Sequence, residues 1–516
     1  MRTIDDIPAK HARLDPAREC LVCEAHRFTW RELNARVDRL ANGLRGLGIE
    51  PGEHVAILAQ NSHRYVEFYY AAARAGIVAV PLNWRLSVEE LGYIVEHSES
   101  VALVTDQALQ ATAVTLGSLA PRIRHTILLD GSDPRMTDYE QLLNESSARP
   151  HQQPRDENAM CVLMYTGGTT GRPKGVMLSH RNLLTATVGC ILSGGVLPSD
   201  STLMILPLFH IALWPVLALH YVGGRAVITA RFDLANVLDT IQRERITHVN
   251  VVPTIIAFLL SFEDLDRYDL SSLRLLTYAG APIPFELLIR MKERFPALDL
   301  AQGYGLTEAA SIVSFLDADV HRHADTEAQR QRLRSAGREA LPTTVRIVDE
   351  GDQEVPRGAV GEISARGANV MLGYWKNPQL TAATLRGGWL HTGDMGFLDA
   401  DGFIHIIDRK NDMIISGGEN VYPREVEDVI YKHPAVLECA VVGVPDAVWG
   451  EAITAVVALK PDQTATADEI VALCAEHLAG YKKPRSVDFV SSLPKTSIGK
   501  IARREVRDGY MRRTAP

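Results

Sequence analysis

Cysteine is scarce: six residues in 516, at positions 20, 23, 161, 190, 439 and 474. Six scattered thiols do not make the dense framework of a small secreted domain, and they fit a reducing compartment. Cys20 and Cys23 form one CxxC, but no second ligand pair lies near it. Two thiols in a strand (CLVCEA) are therefore the better reading than a zinc site. An excess of basic charge is also missing. The formal net charge is −9, which does not suit a generic duplex-binding surface. Long apolar runs are lacking too. The most apolar region, Leu203 to Val222, is broken by Pro207, His210, Pro215 and His220. A spanning helix needs about 20 predominantly apolar residues, so buried strand and helix pieces are expected instead. The opening MRTIDDIPAK places acidic residues where a signal peptide needs an apolar stretch. No nucleic-acid partner is expected, membrane contact is expected to be peripheral at most, and the expected location is the cytoplasm.

What is present is enough apolar residue for a large core: 46% of the chain is hydrophobic and 23% charged. The length suggests several domains, or one large domain with a small one. Leu33, Val37, Leu40, Leu44 and Leu47 recur at helical spacing, so Trp30 to Leu47 reads as an amphipathic helix. HVAIL (54–58), IVAVPL (77–82) and VALVTD (101–106) read as buried strands between helices. The rhythm resumes with RAVITA (225–230), HVNVVP (248–253) and LRLLTYAG (273–280), each followed by a helical pattern. Strands alternating with helices predict parallel, doubly wound sheets, with ligands at the C-terminal strand ends. From about residue 340 short strands and Gly-rich or acidic turns take over. After DRKND (408–412) a compact α+β pattern follows. The expected fold is thus α/β: a large N-terminal domain (1–407) of doubly wound sheets with a β-rich subdomain, a hinge at 408–412, and a small, mobile α+β domain (413–516).

The stretch YTGGTTGRPKG (165–175) is rich in glycine, threonine and charge, as a phosphate-binding loop needs to be. It is not a P-loop of the kinase or GTPase type. Pro173 cannot donate an N–H, and the G-K-[ST] arrangement is broken. Alone, such a loop is also compatible with a plain hairpin turn. LPLFH (206–210), QGYGLTE (302–308), WLHTGDMG (389–396) and SLPKTSIGK (492–500) each have an ordinary structural reading as well. For the third, that reading is an Asx-type turn around Asp394.

Taken together and in this order, the motifs YTGGTTGRPKG, PLFH, TYAGAPI, GYGLTE, HTGD, DRKNDMIISGGENVYP and PKTSIGK resemble those of the AMP-forming adenylating superfamily. That superfamily comprises acyl-CoA synthetases, luciferases and the adenylation domains of peptide synthetases, and the long block DRKNDMIISGGENVYP is most like fatty-acyl and aryl acyl-CoA ligases. The resemblance implies ATP-dependent conversion of a carboxylic acid to an acyl-adenylate with loss of pyrophosphate. Transfer to CoA with release of AMP would follow. It implies Mg²⁺ as cofactor, with ATP and CoA as co-substrates. Thr166, Gly167, Gly168, Thr169, Thr170, Gly171 and Lys174 would cradle the phosphates. Glu308, with Thr166, would meet the metal, and Thr307 would face the α-phosphate. Gly280, Ala281, Pro282, Gly303 and Tyr304 would enclose the adenine, and Asp394 with Arg409 would take the ribose. Lys500 would stabilise the charge that shifts as the adenylate forms. Asn411 would lie in the hinge, and Ser416, Gly417 and Gly418 would border the CoA thiol in the second half-reaction.

The resemblance also implies an acyl pocket near His210, Trp214, Tyr278, Ala279 and Ala309. His210 stands where peptide-synthetase domains commonly place an Asp for an α-amino group, so an amino acid substrate is not expected. A medium- or long-chain fatty acid is the first expectation. An aryl acid such as benzoate or cinnamate, or a stand-alone adenylating enzyme that loads a carrier protein, are the alternatives. Gly167 replaces a common serine, so a modest effect on ATP affinity is expected. The basic residues Arg503, Arg504, Arg507, Arg512 and Arg513 read as a solvated helix face. Oligomeric state is not legible; a homodimer is compatible with the sequence.

Overall fold

The structure is a computed structural model. It describes residues 1–516 except 151–155, 167–171, 211–212, 282, 324–325, 410–411, 418, 447, 496–500 and 515–516. Gly167, Gly168, Thr169, Thr170, Gly171, Pro282, Asn411, Gly418 and Lys500 therefore lie outside the described residues. The chain divides into two compact units. One comprises Met1–Gly280, Arg290–Val345 and Ala365–Leu390, and the other Ala281–Ile289, Arg346–Ser364 and His391–Pro516.

The first unit holds two large mixed sheets with helices between their strands. In one, the order runs Arg338–Glu339, Ser314–Leu316, Asp299–Tyr304, Leu275–Ala279, His248–Val251, Ser201–Met204, Arg225–Ile228, Glu19–Cys23, His26–Thr29. Its inner strands are parallel, as the alternating pattern predicts, and both flanks finish in antiparallel pairs. The other sheet runs Gly373–Tyr374, Lys174–Ser179, Met160–Thr166, Val78–Pro81, His54–Leu58, Ala102–Thr105, His125–Leu128, Thr137–Asp138. His54–Leu58 is buried at every position. That explains why it reads as a continuous apolar run rather than an alternating one. The helices start where side-chain caps satisfy their free N–H groups: Thr29 with Glu32, Ser87 with Glu90, and Ser179 with Asn182 form reciprocal capping boxes. Leu203 to Val222 resolves into the buried strand Ser201–Met204 and the helix Leu213–Val222. Cys20 and Cys23 lie buried in the strand Glu19–Cys23, where burial pushes both thiols up.

The second unit holds most of two smaller sheets. One orders Thr343–Val348, Gly361–Gly367, Leu390–Leu398 and Ile404–Arg409. The other orders Glu419–Val421, Ile414–Ser416, Gly450–Leu459 and Val436–Asp446, with Ser486–Val490 added parallel to Gly450–Leu459. Two expectations change here. HTGDMG is a strand rather than an Asx turn; Gly393, at φ +74°, and a register shift between Met395 and Gly396 absorb the bend. The basic C-terminal segment does form a helix, Arg503–Thr514, with Arg504, Arg512 and Arg513 exposed as expected, but Arg503 is half-buried among carboxylates. Its guanidinium meets Glu427 at 2.6 Å, Asp412 at 3.3 Å and Asp408 at 3.4 Å.

Candidate active site

In the first unit the strands on either side of the Gly/Thr-rich stretch, Met160–Thr166 and Lys174–Ser179, pair antiparallel, with Thr166 opposite Lys174. The hairpin reading and the phosphate reading are therefore compatible, because the pairing fixes where the loop begins and ends. The strand Gly373–Tyr374 adds to the hairpin's free edge, with Gly373 opposite Met177 and Tyr374 opposite Val176. The same segment grips the GYGLTE turn. The Met371 amide donates to the Glu308 carbonyl at 2.8 Å, and Asn369 Nδ2 donates to the carbonyls of Ala309 (3.0 Å) and Ile312 (2.7 Å). The Tyr374 hydroxyl donates to Glu308 Oε1 at 2.7 Å, and the Lys174 ammonium lies 5.8 Å from the centroid of the same ring. One tyrosine thus ties the loop's cation to the motif's carboxylate. Tyr374 and Asn369 were missed by sequence reading. No pattern marks them, because they act through long-range pairing.

The turn that carries Glu308 is sharply constrained. Thr307–Ala309 form a single 3₁₀ turn, with Thr307 inside it and Leu306 at its head. Ala310 and Ser311 follow at φ +47° and +82°, a region L side chains rarely adopt. A Cβ on Gly305 would stand 2.1 Å from the Ser311 carbonyl oxygen, so only glycine fits there. Thr307 and Ala309 are buried, while Glu308 and Tyr304 are half-buried.

The two faces of the large sheet carry different groups. Successive side chains along a strand point to opposite faces. Register pairs Asn250 with Thr277 and Val251 with Tyr278; it pairs Tyr278 with Gln302, and Ala279 with Gly303. Asn250, Thr277, Ala279 and Gly303 therefore share one face, and Tyr278 takes the other. Tyr278 is fully buried there, and its hydroxyl donates to His321 Nε2 at 2.9 Å. The His321 Nδ1–H donates to the Asp317 carbonyl at 2.8 Å, and burial lowers the imidazole to about 4, so it stands neutral in the tautomer that accepts from Tyr278. Of the two adjacent pocket candidates, Ala279 is thus on the Gly303 face and Tyr278 is not. Gly303 pairs with Phe315, and a Cβ on it would meet the Phe315 ring at 3.7 Å and the Ala279 Cβ at 3.9 Å. Gly303 does not have a positive φ, so its lack of a side chain leaves room rather than relieving the backbone. Gly280, by contrast, ends the neighbouring strand at φ +86°, with Ala281 next in the chain.

His210 closes the turn that begins at Pro207, its amide donating to the Pro207 carbonyl at 3.2 Å. Asn61 fixes that turn: its Nδ2 donates to the Leu206 carbonyl and its Oδ1 accepts from the Leu208 amide, both at 2.8 Å. Trp214 is buried at the start of the following helix.

In the second unit Asp394 and Arg409 are cross-strand partners, with Arg409 Nε 2.6 Å from Asp394 Oδ1. The carboxylate is buried and the guanidinium half-exposed, a polar pair that presents one face outward. Ser416 ends the strand Ile414–Ser416, and Gly417 follows at φ +63°. The Gly417 amide donates to the Trp449 carbonyl at 2.8 Å, and a Cβ on Gly417 would collide with the Trp449 ring at 2.8 Å. The Arg485 guanidinium lies 3.5 Å from the centroid of that ring.

An α/β scaffold with a Gly/Thr loop at a hairpin, a constrained GYGLTE turn and a separate HTGD strand defines an adenylate-forming enzyme. Comparison with known proteins bears on the same point. The family described as AMP-binding enzyme matches residues 9–375, and the AMP-binding enzyme C-terminal domain matches residues 425–500. The chain is 40% identical over 503 residues to a feruloyl-CoA synthase of Amycolatopsis sp, covering 97% of each chain. It is 34% identical over 508 residues to a 2-succinylbenzoate–CoA ligase of Bacillus cereus, covering 98% of each. A solved anthranilate CoA ligase in complex with anthranoyl-AMP superposes with a TM-score of 0.90 at 30% identity, covering 98% of this chain and 97% of that one. The chain belongs to the AMP-binding enzyme family. It is an AMP-forming acid–thiol ligase.

Proposed function

We propose that the enzyme activates an aryl carboxylic acid with ATP and transfers the acyl group to CoA. The observation that carries this reading is the sheet face formed by Ala279 and Gly303, with the Phe315 ring across it. Two small residues lie on this face with an aromatic ring packed beside them, an arrangement suited to a planar ring. Feruloyl-, succinylbenzoate- and anthranilate-CoA ligases among the similar proteins support the same class. The aryl alternative thereby displaces the fatty acid as the preferred substrate.

On this reading Thr166, Lys174 and residues 167–171 take the phosphates, Tyr304 and Gly280–Pro282 the adenine, and Asp394 with Arg409 the ribose hydroxyls; Gly303, expected at the adenine, is assigned to the acid's ring instead. Thr307 faces the α-phosphate. A lone carboxylate suits Mg²⁺, which prefers oxygen ligands shared with substrate phosphates; Glu308, with one oxygen engaged by Tyr374, and Thr166 would hold it. Bound there, the cation would supply charge neutralisation on the phosphates. Residues 408–412, with Asn411, serve as the hinge. Ser416, Gly417 and Gly418 border the thiol of CoA.

Acid-dependent ATP–pyrophosphate exchange tests the first half-reaction, and thioester formation with free CoA separates a CoA ligase from an enzyme that loads a carrier protein. Lys500→Ala should slow exchange by roughly 10²- to 10³-fold, as loss of a charge contact of this kind does. It should largely spare thioester formation from supplied acyl-adenylate. Equal loss in both half-reactions contradicts the assignment of Lys500.

A further inference from the structure

We infer that the first unit carries a second oxyanion site, behind the strands that flank the phosphate loop, where Arg172 and Lys376 bind a phosphate group. It goes beyond the reading above, which uses the opposite face of the same strands.

Strand pairing separates the two faces, because side chains alternate along a strand and opposite residues share a face. Thr166 pairs with Lys174, and Val176 with Tyr374, so Thr166, Lys174 and Tyr374 stand together on the face where Tyr374 meets Glu308. Tyr165 pairs with Gly175, and the Trp375 amide donates to the Gly175 carbonyl at 2.8 Å; this row takes the other face. Gly175 bears this out, since a Cβ there would meet Tyr165 Cζ at 3.1 Å and Trp375 Cβ at 3.3 Å. The helix Val88–His97 covers that second face. His97 Nδ1 lies 2.7 Å from the Tyr165 hydroxyl, and the His97 carbonyl accepts from Trp375 Nε1 at 3.0 Å. The helix end therefore does not turn that carbonyl on an incoming anion.

Between the helix and the edge of the strands lies an open cavity of about 240 Å³, lined by Tyr93, His97, Arg172, Lys174, Trp375 and Lys376 among others. A single water needs only roughly 10–15 Å³ measured in this way, so the space takes a ligand of several heavy atoms. Three cations line it, and none of its lining residues is an acid. Rings hold those cations in place. Arg172 lies 5.2 Å from the centroid of Tyr93, Lys376 5.8 Å from that of Trp375 and Lys174 5.8 Å from that of Tyr374. A ring positions a cation without neutralising it.

Among the described residues neither Arg172 nor Lys174 has an ion-pair partner. Lys376 meets Glu99 at 3.0 Å, but Glu99 is shared with Arg122 at 3.5 Å. The cavity thus keeps a surplus of positive charge in a chain whose net charge is −9. A multiply charged tetrahedral oxyanion suits a guanidinium fork beside ammonium groups. A Tyr165 hydroxyl that donates to His97 Nδ1 leaves the proton on Nε2 as a further donor. The phosphate group has two sources: free inorganic phosphate or pyrophosphate, and the 3′-phosphate of CoA. Arg172 and Lys174 flank Pro173, so an anion held by Arg172 also steadies the segment that presents Lys174 on the nucleotide face.

The test titrates inorganic phosphate into the full-length enzyme saturated with Mg²⁺ and α,β-methylene-ATP, which fills the opposite face, and follows the phosphate line by phosphorus NMR. Saturable broadening is expected, with affinity lower by roughly tenfold or more in Arg172→Gln and in Lys376→Gln, the worth of a charged hydrogen bond. Both side chains are exposed, so the variants should keep the wild-type thermal midpoint. Steady-state assays with CoA and 3′-dephospho-CoA distinguish the sources. If CoA supplies the phosphate, Arg172→Gln should raise the KM for CoA roughly tenfold and leave that for dephospho-CoA unchanged. If free phosphate is the occupant, both values should stay unchanged, and added phosphate should lower the KM for ATP in the wild type but not in Arg172→Gln. Absence of saturable phosphate binding to the analogue-saturated enzyme overturns the inference, as does equal affinity in the wild type and both variants. Failure of the analogue itself to bind would count against the nucleotide reading of the opposite face, a distinct result, and the comparison of variants would still decide this site.

Discussion

The Tyr374 hydroxyl holds one carboxylate oxygen of Glu308 at 2.7 Å while its ring lies under the Lys174 ammonium. A residue 66 positions along the chain from Glu308 thus orients the carboxylate proposed to meet Mg²⁺. Such outer contacts fix the orientation of metal ligands and tune their affinity. Tyr374→Phe keeps the ring and removes the hydroxyl. The expected result is about a tenfold rise in the Mg²⁺ concentration needed for half-maximal ATP–pyrophosphate exchange, with an unchanged thermal midpoint. An unaltered Mg²⁺ dependence would remove Tyr374 from the site.

Gly303 is small because of the space beside it, not because of its backbone. A Cβ is accommodated at ordinary contact distances from Phe315 and Ala279, so Gly303→Ala should fold normally. Gly303→Val extends two further methyl groups into the space assigned to the ring. At the usual cost of about 1–3 kcal/mol per misplaced methylene, kcat/KM for a benzoate- or cinnamate-like acid should fall roughly 10- to 200-fold. Acetate turnover should change far less. A uniform loss across both acids would place the obstruction elsewhere.

Gly417 is required twice over, by its φ of +63° and by the Trp449 ring 2.8 Å from where a Cβ would stand. Gly417→Ala should shift the Trp449 ring and cost about 1 kcal/mol or more in stability. Thioester formation from supplied acyl-adenylate should fall at least tenfold while ATP–pyrophosphate exchange persists. Loss of exchange instead would assign this segment to the adenylation step.

Arg503 is surrounded by the carboxylates of Glu427, Asp408 and Asp412, and Asp408 is almost fully buried. Arg503→Met leaves buried carboxylates without their cation, and stability should drop by about 3–5 kcal/mol at neutral pH. Burial already raises the Asp408 carboxyl above its ordinary value, with Arg503 acting against that rise. A raised acid is penalised when ionised and relieved when protonated. The deficit of the variant should therefore shrink as pH falls from neutrality through the raised Asp408 value and grow as pH rises. Urea titrations at pH 7 and pH 5 measure this; a deficit independent of pH would show that Arg503 acts by packing alone.

Much of this architecture was legible in the amino-acid sequence, and the reasons are local. Trp30 to Gly46 shows its helix through apolar spacing and a Thr29–Glu32 capping box, and His54–Leu58 shows its strand through an unbroken apolar run. The motifs were legible because tight turns such as GYGLTE tolerate few residue types. Three things were not legible, all for the same reason. The strand geometry of HTGDMG depends on pairing with Ile404–Arg409, the Tyr374–Glu308 contact on a strand added at a sheet edge, and the partition of Tyr278 and Ala279 to opposite faces on register. Each is a long-range property.

The most direct test of the account is an acyl-CoA ligase assay that sets benzoate-, cinnamate- and hydroxycinnamate-type acids beside saturated straight-chain acids of increasing length, with AMP, pyrophosphate and acyl-CoA all measured. The account predicts equimolar AMP, pyrophosphate and CoA thioester, with the highest kcat/KM on a ring-bearing acid. A straight-chain acid turned over better than every aryl acid would contradict it.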